Sequence, residues 1–123
     1  MGQIFITISA VFGFLGVALG AFGAHGLKSK LSADMMTIFE TGARYHLIHA
    51  VALFGIGILA RQMDVTAIKV AGISMIFGIL VFSGSLYALA MSGVRVLGAI
   101  TPIGGLGFLV GWAALAVAAI QNP

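Results

Sequence analysis

Residues 4–24 read Ile-Phe-Ile-Thr-Ile-Ser-Ala-Val-Phe-Gly-Phe-Leu-Gly-Val-Ala-Leu-Gly-Ala-Phe-Gly-Ala, a stretch without a single charge. As a helix rising about 1.5 Å per residue, it covers the roughly 30 Å of a bilayer's hydrocarbon core. In lipid every backbone N–H and C=O needs an internal partner, so a run this long and apolar is a transmembrane helix. It has no basic region before it, and its apolar stretch exceeds that of a secretion signal, so it reads as a retained anchor. A myristoylation motif is absent too, because Ile6 stands where Ser or Thr is required.

Outward from this segment, the charges cut the chain into three more apolar blocks. Tyr45–Ala60 lies between Arg44 and Arg61, a longer block separates Lys69 from Arg95, and nothing after Arg95 is charged. The expected fold is all-α: a four-transmembrane-helix bundle forming one domain over 1–123, with spans near 4–24, 44–60, 70–91 and 101–120. The second span is short for the bilayer, so it is expected to begin earlier, tilt, or be sheltered by its neighbours.

The composition excludes most alternatives. Hydrophobic residues make up 61% and charged residues 7%, against roughly 45–50% and about 25% in an ordinary globular chain. A mean hydropathy of +1.19 rules out a soluble enzyme, a disordered chain or a secreted scaffold. With no cysteine, thiol catalysis and Cys-ligated metals are excluded as well. The net charge of +3 comes from scattered cations, which suit the flanks of membrane spans and not a nucleic-acid surface.

Residues 25–43 carry a helix signature: Ser32 can cap, Asp34 sits in the first turn, and Met35, Met36, Ile38 and Phe39 fall on one side. They predict a short amphipathic helix lying in the interface between the first two spans, with an irregular ordered loop as the alternative. Gly16 with Gly20 and Gly107 with Gly111 form GxxxG stripes, with Ser74 and Gly78 a weaker pair. Such stripes predict close helix contacts and offer faces for a homo-oligomer.

Lys28, Lys30, Arg44 and Arg95 lie on one side of such a bundle, against Arg61 and Lys69 on the other. The positive-inside rule then places both termini outside. The remaining polar groups converge on the first of these sides. His25, Arg44, Tyr45, His46 and His49 lie on or before the second span; Ser83, Ser85 and Tyr87 end the third; Arg95 and Thr101 border the fourth. Thr101-Pro102 predicts a capped helix start whose first turn, with Gly104 and Gly105, leaves amides bare for an anion. A helix starting near Val96 and kinked at Pro102 is the alternative. His49 lies deepest, so it is expected to be neutral and buried, bonded to Tyr87, Ser83 or a backbone carbonyl of the first or third span.

Four stretches, Gly-Ala-Phe-Gly-Ala-His-Gly-Leu at 20–27, Thr-Gly-Ala-Arg-Tyr-His-Leu-Ile-His-Ala at 41–50, Phe-Ser-Gly-Ser-Leu-Tyr at 82–87 and Ile-Thr-Pro-Ile-Gly-Gly at 100–105 with Gly111-Trp112, resemble the YgdD/YwdK-like small membrane proteins, the domain of unknown function family 423. The resemblance covers essentially the whole chain. It implies a four-helix integral membrane protein of the bacterial plasma (inner) membrane, multi-pass with both termini outside, and carries no established activity, cofactor or catalytic residue. Where the resemblance usually implies Gln or Glu around position 44, this chain has Arg44, so a role resting on Arg44 is read as particular to this chain.

Three functions fit these residues. The first is a non-enzymatic binding module for an anionic lipid headgroup or small anion, with Arg44 and Arg95 as fixed charge. His25, Tyr45, His46, His49, Ser83, Ser85, Tyr87, Thr101, Gly104 and Gly105 then provide hydrogen bonds. The second is a purely structural or assembly role in the bilayer. The third is a metal or haem site built on His25, His46 and His49. No Ser/His/Asp set or paired carboxylates lie at membrane depth, so no enzyme, cofactor or nucleic-acid partner is expected.

Overall fold

A computed structural model describes residues 1–122. Its helices are α1 (Gly2–His25), α2 (Ala33–Ala60), α3 (Thr66–Gly78), α4 (Gly84–Ser92) and α5 (Thr101–Gln121). A π-helical segment, Ile79–Ser83, joins α3 to α4 without a break, and a 3₁₀ turn, Arg95–Ala99, leads into α5. Four helical stretches, Gly2–His25, Ala33–Ala60, Thr66–Ser92 and Arg95–Gln121, are long and apolar enough to cross a membrane. The spans stand where the charge pattern puts them; the first, third and fourth are extended by a few residues, and the second begins at Ala33 where the apolar block begins near residue 44.

The separate interfacial helix between the first two spans is not found. Residues 33–43 are instead the opening turns of α2, which begins earlier than the apolar block does. Ser32 caps it as expected, accepting from Met35 N–H at 3.2 Å. The helix runs straight on because no proline interrupts it and because its apolar side has a partner within the chain. Phe39 is buried, with its ring against Gly23 of α1 and tilted at 45° to the Tyr87 ring of α4, centroids 5.0 Å apart. A turn that closes with Leu27 also buried connects α1 to α2. At the end of α4, Gly93 takes φ +73°, a left-handed cap that L side chains adopt at a cost.

Helices α1 and α2 pack as one antiparallel pair and α3–α4 with α5 as another, with α2 against α3 and α4 joining the pairs. The core lies between them: Phe5, Leu53, Ile56, Ile68, Ala71, Met75, Ile79, Phe108 and Ala118. In lipid this association rests on close packing, since hydrocarbon is as apolar as leucine. Small residues admit the large ones. Gly72 makes room for the Phe5 ring, Gly78 for Phe108, and Gly2 lies against Gly57.

Both GxxxG stripes serve this internal packing. Gly16 is buried against Leu47, Gly107 against Phe77 and Gly78, and Gly111 against Met75. The faces expected to offer a homo-oligomer contact are therefore largely occupied within the chain; of the four glycines, Gly20 alone faces open space. The outer surface is apolar, as lipid requires, with Phe14 at 75% and Ile120 at 78% exposure.

Candidate functional site

The polar residues inside the bundle are tied to one another and to backbone carbonyls. Ser83 Oγ donates to Gly42 O at 2.7 Å, and the Tyr87 side chain reaches back along the antiparallel pair so that its Oη meets His46 Nδ1 at 2.8 Å. Two rungs thus clamp α2 to the third span. The π-helical segment matters here, because its extra residue sets the register in which Ser83 and Tyr87 face α2 while Phe82 and Ser85 face α5. Ser85 Oγ bonds Thr101 Oγ1 at 2.6 Å, joining α4 to the first turn of α5.

The partners decide both histidine tautomers. His46 Nε2 lies 2.8 Å from Phe12 O. A carbonyl only accepts, so Nε2 carries the proton and Nδ1 accepts from the Tyr87 hydroxyl. His49 is the reverse: Nδ1–H donates to Tyr45 O at 2.7 Å, and Nε2 accepts the indole N–H of Trp112 at 3.1 Å. Both side chains are buried, at 4% and 5% exposure. His49 is thus neutral and buried as expected, but its partners lie on its own helix and on α5. The partners expected for it, Tyr87 and a carbonyl of the first span, belong to His46. The cause is rotational: these two residues are three apart, about 300° around a helix, so they face different neighbours.

Beside His49 a groove of about 380 Å³ opens between α2 and α5. Its walls are Tyr45, Ile48, Phe82, Gly105, Phe108, Leu109 and Trp112, and Arg44 stands at its edge. The His49 ring stacks on Phe108 at 3.6 Å and 13°, and Tyr45 contacts Phe82 at 4.8 Å. The lining is mostly apolar and aromatic. Arg44 is exposed, and among the described residues the one ion pair, Lys69–Asp64 at 3.1 Å, lies elsewhere, so Arg44 has no carboxylate partner.

The other predicted residues do not join this groove. His25 is exposed at the end of α1, and Arg95 is exposed in the 3₁₀ turn. Thr101 is not the cap of α5. Ile100 holds that place, and the Thr101 hydroxyl goes to Ser85. Two of the amides there are also engaged. Ile100 N–H bonds Leu97 O at 3.1 Å and Ile103 N–H bonds Ile100 O at 3.0 Å, because the preceding 3₁₀ turn runs into the helix. Gly104 is buried on the backbone of Phe82, leaving no space for a ligand, whereas Gly105 lines the groove. With four ring nitrogens of His46 and His49 engaged by the protein and His25 apart from them, the histidines form no common metal-ligand set.

On the groove's far wall, sequence reasoning named Gly105 and missed Phe108 and Trp112. Gly105, Phe108 and Trp112 recur at helical spacing on α5, but in an apolar chain such a stripe is indistinguishable from core.

Residues 19–105 match the family model described as "Protein of unknown function (DUF423)". The chain is 42% identical to UPF0382 membrane protein YwdK of Bacillus subtilis, over 97% of this chain and 98% of that one. It belongs to the DUF423 family. Other relatives include the Haemophilus influenzae UPF0382 membrane protein, 42% identical over 96% of this chain and 94% of the relative. The UPF0382 inner membrane protein YgdD of Escherichia coli is 38% identical over 94% and 88%. No solved structure matches. The stretch matched by the DUF423 model contains His46, His49, Ser83, Tyr87 and Gly105 and ends before Phe108 and Trp112, so the far wall of the groove lies beyond it. The chain is a membrane protein, as its relatives are named.

Proposed function

We propose that this DUF423 chain binds an anionic lipid at one membrane interface, with the headgroup at Arg44 and an acyl chain along the α2–α5 groove. The observation that carries this is an arginine without a carboxylate partner at the edge of an aromatic groove that opens toward lipid. A guanidinium there offers fixed charge and several N–H donors to a phosphate, in surroundings less screened than water. The walls are largely apolar, both nitrogens of His49 are already engaged, and the Tyr45 hydroxyl is the remaining polar side-chain group beside Arg44. Binding without chemistry suits the set, because the groove lining contains no carboxylate and no free general base.

The deeper polar residues support a structural role. His46, Ser83, Ser85 and Tyr87 each have partners within the chain, so they hold the helices that shape the groove. Anion binding by Arg44 is proposed for this chain and not for the family as a whole. The four cations Lys28, Lys30, Arg44 and Arg95 favour a topology with both termini outside the bacterial plasma membrane and the groove mouth on the cytoplasmic side, where anionic lipids attract basic residues.

Mass spectrometry of lipid retained by the protein in mild detergent tests the proposal. Arg44→Ala is expected to lose a co-purifying anionic phospholipid, and Arg95→Ala, outside the groove, to keep it. Gly105→Leu is expected to lose it with the charge intact, because a Cβ there meets only Phe82 Cδ2 at 3.9 Å and the added side chain fills the groove. Equal retention by wild type, Arg44→Ala and Gly105→Leu overturns the reading.

A further inference from the structure

Trp112 is the chain's single tryptophan, and its place is unusual. It lies eleven residues into α5, about 16 Å along the axis, well below the interfacial belts where tryptophan is enriched. It is 44% exposed, facing the groove and the surrounding lipid. An indole N–H left open to hydrocarbon is costly. His49 removes that cost, and it does so with no rotational freedom. Nδ1–H is committed to Tyr45 O, the ring face is stacked on Phe108, and Nε2 is thereby aimed at the indole. At this level α2 and α5 are bridged by side chains, His49 to Phe108 and Trp112.

We infer that His49 is a positioning residue that sets which part of a lipid the groove accepts. By holding the Trp112 indole as a floor, about 10 Å below the level of Gly105 at seven residues of helix rise, it limits the site to the upper segment of one acyl chain. The remainder of the chain lies in bulk lipid. The inference rests on the lipid-binding reading above and assigns its ligand class: an anionic phospholipid recognised by headgroup and proximal chain, irrespective of the chain's far end.

The single tryptophan makes the test direct. The full-length protein is reconstituted in phosphatidylcholine vesicles doped with phosphatidylglycerol or phosphatidylcholine, brominated either on the upper half of the acyl chains or near the terminal methyl. Upper-chain bromines on phosphatidylglycerol are expected to quench Trp112 more strongly than the same bromines on phosphatidylcholine, while terminal bromines show no headgroup preference. His49→Leu, which keeps apolar bulk but removes the acceptor, is expected to lose the headgroup preference and shift Trp112 emission. His49→Gln, whose amide oxygen can take the indole N–H, is expected to retain both wild-type features. Equal headgroup preference for terminal and upper-chain bromines in the wild type overturns the inference without recourse to any variant. An unchanged preference in His49→Leu does so too, while leaving the lipid-binding reading in place. Absence of any headgroup preference in the wild type overturns that reading itself.

Discussion

Gly104 of α5 lies directly on the backbone of Phe82, so close that a Cβ on Gly104 would overlap Phe82 N and come within 2.7 Å of its Cα. This contact locks the third span to the fourth at the level where the groove begins. Backbone cannot move aside as the end of a flexible side chain can. Gly104→Ala is therefore expected to lower stability by about 1–3 kcal/mol, as overpacking of a tight site does. Gly105→Ala, one residue on, is expected to leave the thermal midpoint in detergent unchanged, since its Cβ meets only Phe82 Cδ2 at 3.9 Å. Equal midpoints for the two variants would show that the crossing of the π-helical segment and α5 is looser than described.

Tyr87 and His46 make a second test. Removing the hydroxyl in Tyr87→Phe leaves His46 Nδ1 buried without a donor, because Nε2 is held by Phe12 O. An orphaned buried acceptor costs about 1–3 kcal/mol. Thermal unfolding of Tyr87→Phe should show that loss. In the His46→Leu background the same substitution should cost far less, as the acceptor is gone. Additive losses in the double variant would separate the two residues.

His49 distinguishes bulk from hydrogen bonding. His49→Ala opens a cavity between Tyr45, Phe108 and Trp112 as well as removing the acceptor, whereas His49→Leu keeps most of the volume. Large-to-small changes at buried sites cost about 2–5 kcal/mol. His49→Leu is accordingly expected to unfold at a higher temperature than His49→Ala, since both lose the hydrogen bonds and only Leu keeps the volume; equal midpoints would show that packing at this site contributes little.

Gly93 caps α4 at φ +73° with open space around it. Crowding is absent, so the backbone angle alone decides the effect of substitution. Gly93→Ala is expected to cost about 1 kcal/mol and Gly93→Asn less, because Asn tolerates the left-handed region. A Gly93→Val variant as stable as Gly93→Asn would contradict the assigned turn.

Much of the architecture was legible in the order of residues, and for a simple reason. In a bilayer, an uncharged stretch of sufficient length has few options other than a helix, so the charges at Arg44, Arg61, Lys69 and Arg95 marked out four spans without reference to any contact. The same logic showed polar residues gathering in one half of the bundle, the burial and neutrality of His49, and the Ser32 cap. What hydropathy could not convey is rotation about each helix axis. Phe39 looked like a membrane-surface residue, but it packs inside the bundle and draws residues 33–43 into α2.

Tertiary structure alone decided the rest, because hydrogen-bond partners depend on which faces meet. The π-helical segment at Ile79–Ser83 sets the register of everything after it, and no residue pattern announced it. Its turn brings Tyr87 to His46 and leaves His49 to Trp112, exchanging the partners expected for the deeper histidine. It also carries Phe82 into the groove and onto Gly104, converting an apparent anion-binding helix start into a packed crossing. Charge spacing along the chain thus determined how many times it crosses the bilayer. The angular placement of side chains, set by packing between helices, determined that Arg44 stands at the edge of an aromatic groove and that Arg95 and His25 do not line it.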